Sequence, residues 1–88
     1  PPQALYVEPL LATTSGRAVH IDNRKLSRLA KLAGAPESPA AGIQLQVRLG
    51  DEITRGQPLM FLHTQTSGEM AYALAYVQDI GDIVKIDP

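Results

Sequence analysis

Gly50-Asp51-Glu52-Ile53-Thr54-Arg55-Gly56-Gln57-Pro58-Leu59 is the stretch on which the reading of the fold turns. Gly50 and Gly56 can each take the positive φ that a tight turn requires. Asp51 can accept bonds from nearby backbone N–H groups, and Ile53 is left between the turns to plug a core. A turn, an apolar plug, a second turn and then the apolar run Leu59 to Leu62 describe a hairpin unit of a small barrel-like sandwich.

Working outward, Ile43, Leu45, Val47 and Leu49 alternate with Gln44, Gln46 and Arg48, the pattern of a half-buried strand. Leu59 to Leu62 is a mostly buried strand that ends at His63. Upstream, Leu5 to Leu11 is apolar enough for a strand, and Pro9 places it at a sheet edge or breaks its ladder. Thr13-Thr14-Ser15-Gly16 is a turn signal. Arg17 to Ile21 then alternates, with Val19 and Ile21 on one face and His20 on the other. Asp22 is a good N-cap for a helix whose Leu26, Leu29, Ala30 and Ala33 fall on one stripe. Gly34 ends that helix, and Pro36 prevents its return. Glu37 to Gly42 is a loop of Pro, Ala and Ser. Downstream, Ser67 caps a second helix from Gly68 to about Gln78, with Glu69 in the first turn where the helix dipole favours an anion. Asp79-Ile80-Gly81-Asp82 turns the chain into a last strand, Ile83 to Ile86. The predicted class is α+β, a small barrel-sandwich or hammerhead-like sheet with two helices in the order β-β-α-β-β-α-β. No repeat or low-complexity tract interrupts it.

Bulk properties narrow the classes further. The 88 residues amount to one domain, which buries only roughly 60–65% of the surface its unfolded chain exposes. No cysteine is present, so a disulfide framework and a thiolate metal site are both excluded, and a reducing cytosol is the natural compartment. The formal charge is −1 with both signs scattered, which argues against a nucleic-acid or acidic-membrane binder. No apolar run approaches the roughly 20 residues that span a bilayer. The opening at Pro1, followed directly by the strand-like Leu5-Tyr6-Val7, reads as a cut upstream of a domain, or else as a processed mature terminus.

Few residue groups point to chemistry. The hairpin unit is shared with biotinyl and lipoyl carrier domains, yet those need a lysine at a tight hairpin tip. Here Met60 to Thr66 contains none, Lys25 and Lys31 lie on the first helix, and Lys85 lies near the end of the chain. His20 and His63 lack cysteine or carboxylate partners at ligand spacing, so they read as strand histidines bonded to backbone or water. Thr13, Thr14 and Ser15 beside Gly16 lack the phosphate-loop spacing and read as a turn. Arg24, Lys25, Arg28 and Lys31 form a basic helix face, either solvated or a contact for another domain or an anion it holds. The second helix, Met70 through Val77, is apolar nearly all round, more than one thin sheet can cover. Tyr72 and Tyr76, one turn apart, can form a patch with polar tips on an interface.

Several segments together resemble one family. Ser15-Gly16-Arg17-Ala18-Val19-His20-Ile21-Asp22, Arg24-Lys25-Leu26 and Leu29-Ala30-Lys31-Leu32-Ala33-Gly34-Ala35-Pro36 carry the first part of the likeness. Gly42-Ile43, Val47-Arg48-Leu49-Gly50-Asp51 and Gly56-Gln57-Pro58-Leu59 to Leu62-His63 carry the second. Their order and spacing are similar to the C-terminal domain of the thymidine and pyrimidine nucleoside phosphorylases over nearly the whole chain. Gly34-Ala35-Pro36 departs from the Gly-Ala-Gly-Arg-like stretch of the common bacterial members. Together with Gly68-Glu69-Met70-Ala71-Tyr72-Ala73-Leu74, it is more similar to the long branch that holds the AMP phosphorylases and thymidine phosphorylases assigned by similarity.

The resemblance implies a pentosyltransferase parent, in which phosphate attacks the anomeric carbon of a nucleoside and releases the base and a pentose 1-phosphate. Thymidine is the expected substrate, and a nucleoside 5′-monophosphate the alternative. In the family a Gly-rich loop with a Lys-His-Ser signature holds phosphate, and an Arg and a Lys on a helical domain hold the base. None of these motifs occurs in the 88 residues, so no catalytic, cofactor-binding or metal residue carries over. The expectation is an inactive accessory domain whose partners are the remaining domains of its parent, usually a cytoplasmic homo-oligomer. A carrier domain and a generic interaction module remain the rival readings.

Overall fold

The computed structural model describes residues 5–35 and 41–88. The Pro1 start, Pro36 and residues 37–40 of the following loop lie outside the described residues. The elements run β1 (Tyr6–Leu11), β2 (Gly16–Ile21), α1 (Asn23–Leu32), β3 (Gly42–Leu45), β4 (Glu52–Ile53), β5 (Pro58–Thr64), α2 (Ser67–Ile80) and β6 (Val84–Asp87). The α+β class holds, and the hairpin adds the two-residue strand β4 to the expected order.

The strands form two three-stranded antiparallel sheets, ordered β1-β5-β3 and β4-β2-β6. Between them lies one core, in which Met60 and Leu62 of the first sheet meet Ala18, Ile53 and Val84 of the second. Ile53 is the plug its position between two turns predicts, and it is buried. β1 is an edge strand, with Pro9 opposite Phe61, which is where a residue without an N–H is tolerated.

The helices lie against the first sheet, α1 beside β3 and α2 beside β5. They run antiparallel to each other. At one end Lys25 Nζ bonds the Ile80 carbonyl, and at the other Gly34 sits against the Glu69 carboxylate. The α1 stripe is as the periodicity predicts, with Leu29 and Ala33 buried and Leu26 and Ala30 half-buried.

Three local expectations are corrected. In β2 the register slips between Ala18 and His20, leaving Val19 without a partner. Such a bulge reverses the alternation of faces. Ala18 is therefore buried, Ile21 half-buried, and Val19 is exposed together with His20. β3 ends at Leu45 instead of running on to Leu49. Gln46 N still donates to Leu59 O at 2.9 Å, but Gly50 N donates to Ala18 O at 2.7 Å, because the chain has crossed to the second sheet. In that crossing Val47 stays buried while Leu49 is 65% exposed. Finally, α2 is capped by Thr66, not Ser67, in a capping box with Glu69.

Candidate functional site

The hairpin that decided the fold is a set of backbone clamps. Asp51 Oδ2 accepts from Arg48 N at 2.8 Å, and Gln57 Oε1 accepts from Thr54 N at 2.7 Å. Ser15 Oγ accepts from Arg55 N at 2.8 Å and so ties the first turn to the hairpin. Ser15 is thus engaged in holding two turns together.

The two histidines are on different sheets. His20 lies on β2 opposite Lys85 of β6, while His63 on β5 has its Nε2 at 3.3 Å from Gln44 Oε1 of β3. Among the described residues no three His, Asp or Glu are grouped to hold a metal ion. None of the lysines occupies a hairpin tip: Lys25 and Lys31 are in α1 and Lys85 is in β6.

The basic face of α1 is divided. Lys25 leaves it, and its Nζ donates to Ile80 O at 3.0 Å and Asp82 O at 3.3 Å. The first is the last carbonyl of α2 and the second belongs to the turn that follows it, and α2 has no basic residue in its own last turn. A cation supplied by α1 therefore offsets the negative end of the α2 dipole. Arg24, Arg28 and Lys31 stay exposed on one stripe, and among the described residues none of the three has an acidic partner within ion-pair distance. At the start of the same helix, Asp22 accepts from Lys25 N at 3.0 Å. That hydrogen bond, and secondarily the Lys25 charge, hold the Asp22 carboxyl below its ordinary value of 3.8.

The α2 circumference is consumed unequally. Met70 and Ala73 are buried, Leu74, Tyr76, Val77 and Ile80 pack against the core, and Ala71, Tyr72 and Ala75 face outward. The expected tyrosine patch is therefore split. Tyr76 packs inward and Tyr72 stands 73% exposed among small side chains.

Sequence reading missed a cleft of about 240 Å³ between the sheets at the C-terminal end of α2. Its apolar walls include Leu10, Met60, Val77 and Val84, with Thr13, Thr14 and Asp82 also lining it. Its signal in the sequence is faint. The register slip beside it leaves Leu59 of β5 without a β1 partner, and Pro58, which cannot donate to the ladder, is its one residue cue. Among the described residues, no helix is long and apolar enough to cross a membrane.

Comparison with known proteins adds the following. A family profile described as "Pyrimidine nucleoside phosphorylase C-terminal domain" matches residues 18–84. The protein named "Putative thymidine phosphorylase" from Parvibaculum lavamentivorans is 94% identical over 88 residues, all of this chain and 17% of that protein. Its namesake from Tolumonas auensis is 91% identical over 88 residues, again 100% of this chain and 17% of the relative. A third of the same name, from Chelativorans sp., is 64% identical over 87 residues, 99% of this chain and 17% of the relative. The chain thus spans about one sixth of the length of the curated relatives it matches.

Proposed function

Because this chain belongs to the pyrimidine nucleoside phosphorylase C-terminal domain family, we propose that it is the accessory C-terminal domain of a longer thymidine phosphorylase. The observation that carries the reading is the match of all 88 residues to 17% of a longer thymidine-phosphorylase relative. In the parent reaction inorganic phosphate attacks the anomeric carbon of thymidine. The C–N glycosidic bond breaks, thymine leaves, and 2-deoxyribose 1-phosphate forms. The bond-breaking residues belong to polypeptide outside these 88 residues, and this domain is inert alone. It docks on the rest of the enzyme and supports assembly of the oligomer. The cysteine-free composition fits a cytosolic parent.

An AMP phosphorylase parent is the second reading, because Gly34-Ala35-Pro36 and Gly68 to Leu74 are similar to a branch that holds AMP phosphorylases as well as thymidine phosphorylases. The test is a phosphorolysis assay with thymidine and AMP, run on the isolated chain and on the full-length Parvibaculum relative. The expected result is no turnover by the chain with either substrate and phosphate-dependent thymine release by the relative. Turnover by the chain alone sinks the accessory reading. Cleavage of AMP in place of thymidine transfers the parent to the second class.

A further inference from the structure

The cleft at the C-terminal end of α2 has the size and chemistry of a receptor for one side chain. Its volume of about 240 Å³ exceeds the ~150 Å³ of an apolar cavity that takes benzene and falls short of the roughly 300 Å³ at which drug-sized pockets begin. Met60 and Val84, both buried in the core, form part of its wall. Leu11 lines it while remaining 51% exposed. A wet cleft walled by Leu, Met and Val offers water few partners.

Its described lining carries one charged residue, and that one is acidic. Asp82 lines the cleft, and Asp79, three residues earlier, is exposed on the last turn of α2. Both stand at the negative end of the helix dipole, where Lys25 supplies one compensating cation. A complementary surface brings an apolar side chain flanked by basic residues.

We infer that this cleft is where the domain receives the rest of its parent, through a Leu-, Met- or Phe-sized side chain flanked by Lys or Arg in the polypeptide outside these 88 residues. The inference rests on the proposed reading of the chain as one part of a longer phosphorylase. The occupant is indicated by length, since 83% of each long relative (100 − 17) lies beyond the matched segment, and by the Asp82 carboxylate in the lining. The exposed face of α2 offers mainly small side chains around Tyr72, and the outer face of α1 offers cations with Asn23 and Ser27.

Hydrogen–deuterium exchange on the isolated chain and on the full-length Parvibaculum relative tests the assignment. The expected result is exchange about tenfold slower in the full-length protein at residues 10–14 and 81–84, with a smaller change along α1 and at Tyr72. Slowing that is uniform, or greatest at α1 or around Tyr72, overturns the cleft as the docking point while leaving docking itself intact. Identical exchange in both proteins overturns the accessory-domain reading, and this inference falls with it.

Discussion

Gly16 is the position where a single atom decides most. A Cβ there would come within 2.2 Å of the Asp87 carbonyl oxygen and 2.7 Å of its carbon, at φ +154°. Both are backbone atoms of β6, so relief requires moving a strand. Gly50, at φ +93°, has open space around it, and alanine there meets only the torsional penalty of the left-handed region. Gly16→Ala is therefore expected to lower stability by roughly 2–4 kcal/mol and Gly50→Ala by about 1 kcal/mol, measured by urea denaturation. Equal effects would show that β6 yields freely. Asp22 is a second decisive residue. Its folded-state pKa is depressed by the bond from Lys25 N, so its contribution is fully present above the unfolded value and is lost as pH falls through the lower folded value. Asp22→Asn should flatten the acid limb of the stability profile below about pH 4. An unchanged limb in that variant contradicts the assignment.

At the scale of elements, the antiparallel helices are joined by a polar contact at the α2 C-terminus as well as by packing. Lys25 of α1 bonds the last carbonyl of α2 and that of Asp82 in the turn beyond it, and Thr66 and Glu69 close the opposite end of α2 as a capping box. A partly buried cation on helix-terminal carbonyls contributes up to about 1 kcal/mol in such a setting. Lys25→Met, which keeps the apolar stem, should lose roughly that amount. Arg28→Met, on the exposed stripe, should stay within about 0.5 kcal/mol of the parent. Thermal or urea unfolding of the pair distinguishes them, and a reversed order removes Lys25 from the α2 terminus.

At the scale of the molecule, both sheets and both helices share one core, and Leu62 is wholly buried in it. An 88-residue chain is expected to have a total stability of roughly 4–13 kcal/mol. Leu62→Ala leaves a cavity costing about 2–5 kcal/mol, a large share of that total. The variant should unfold in one transition, with loss of both sheets together, at a much lower urea midpoint. Separate melting of the two sheets by amide exchange would show that they are independent units.

The local pattern of the chain carried the class, the α1 stripe with its Asp22 cap, the edge position of β1 and the Ile53 plug. Each of these is set by a residue and its near neighbours, through period, turn geometry or the missing N–H of Pro9. The family likeness was also legible, because it resides in the order of short motifs. What only the tertiary structure decided involves partners distant in the chain. The bulge that turns Val19 outward depends on the register against β6, and the crossing that exposes Leu49 depends on Ala18 in the other sheet. Lys25 was drawn from the solvated face by carbonyls 55 and 57 residues away. The split of Tyr72 from Tyr76 and the cleft beside α2 arise from how sheets and helix meet, and such contacts have no period along the chain.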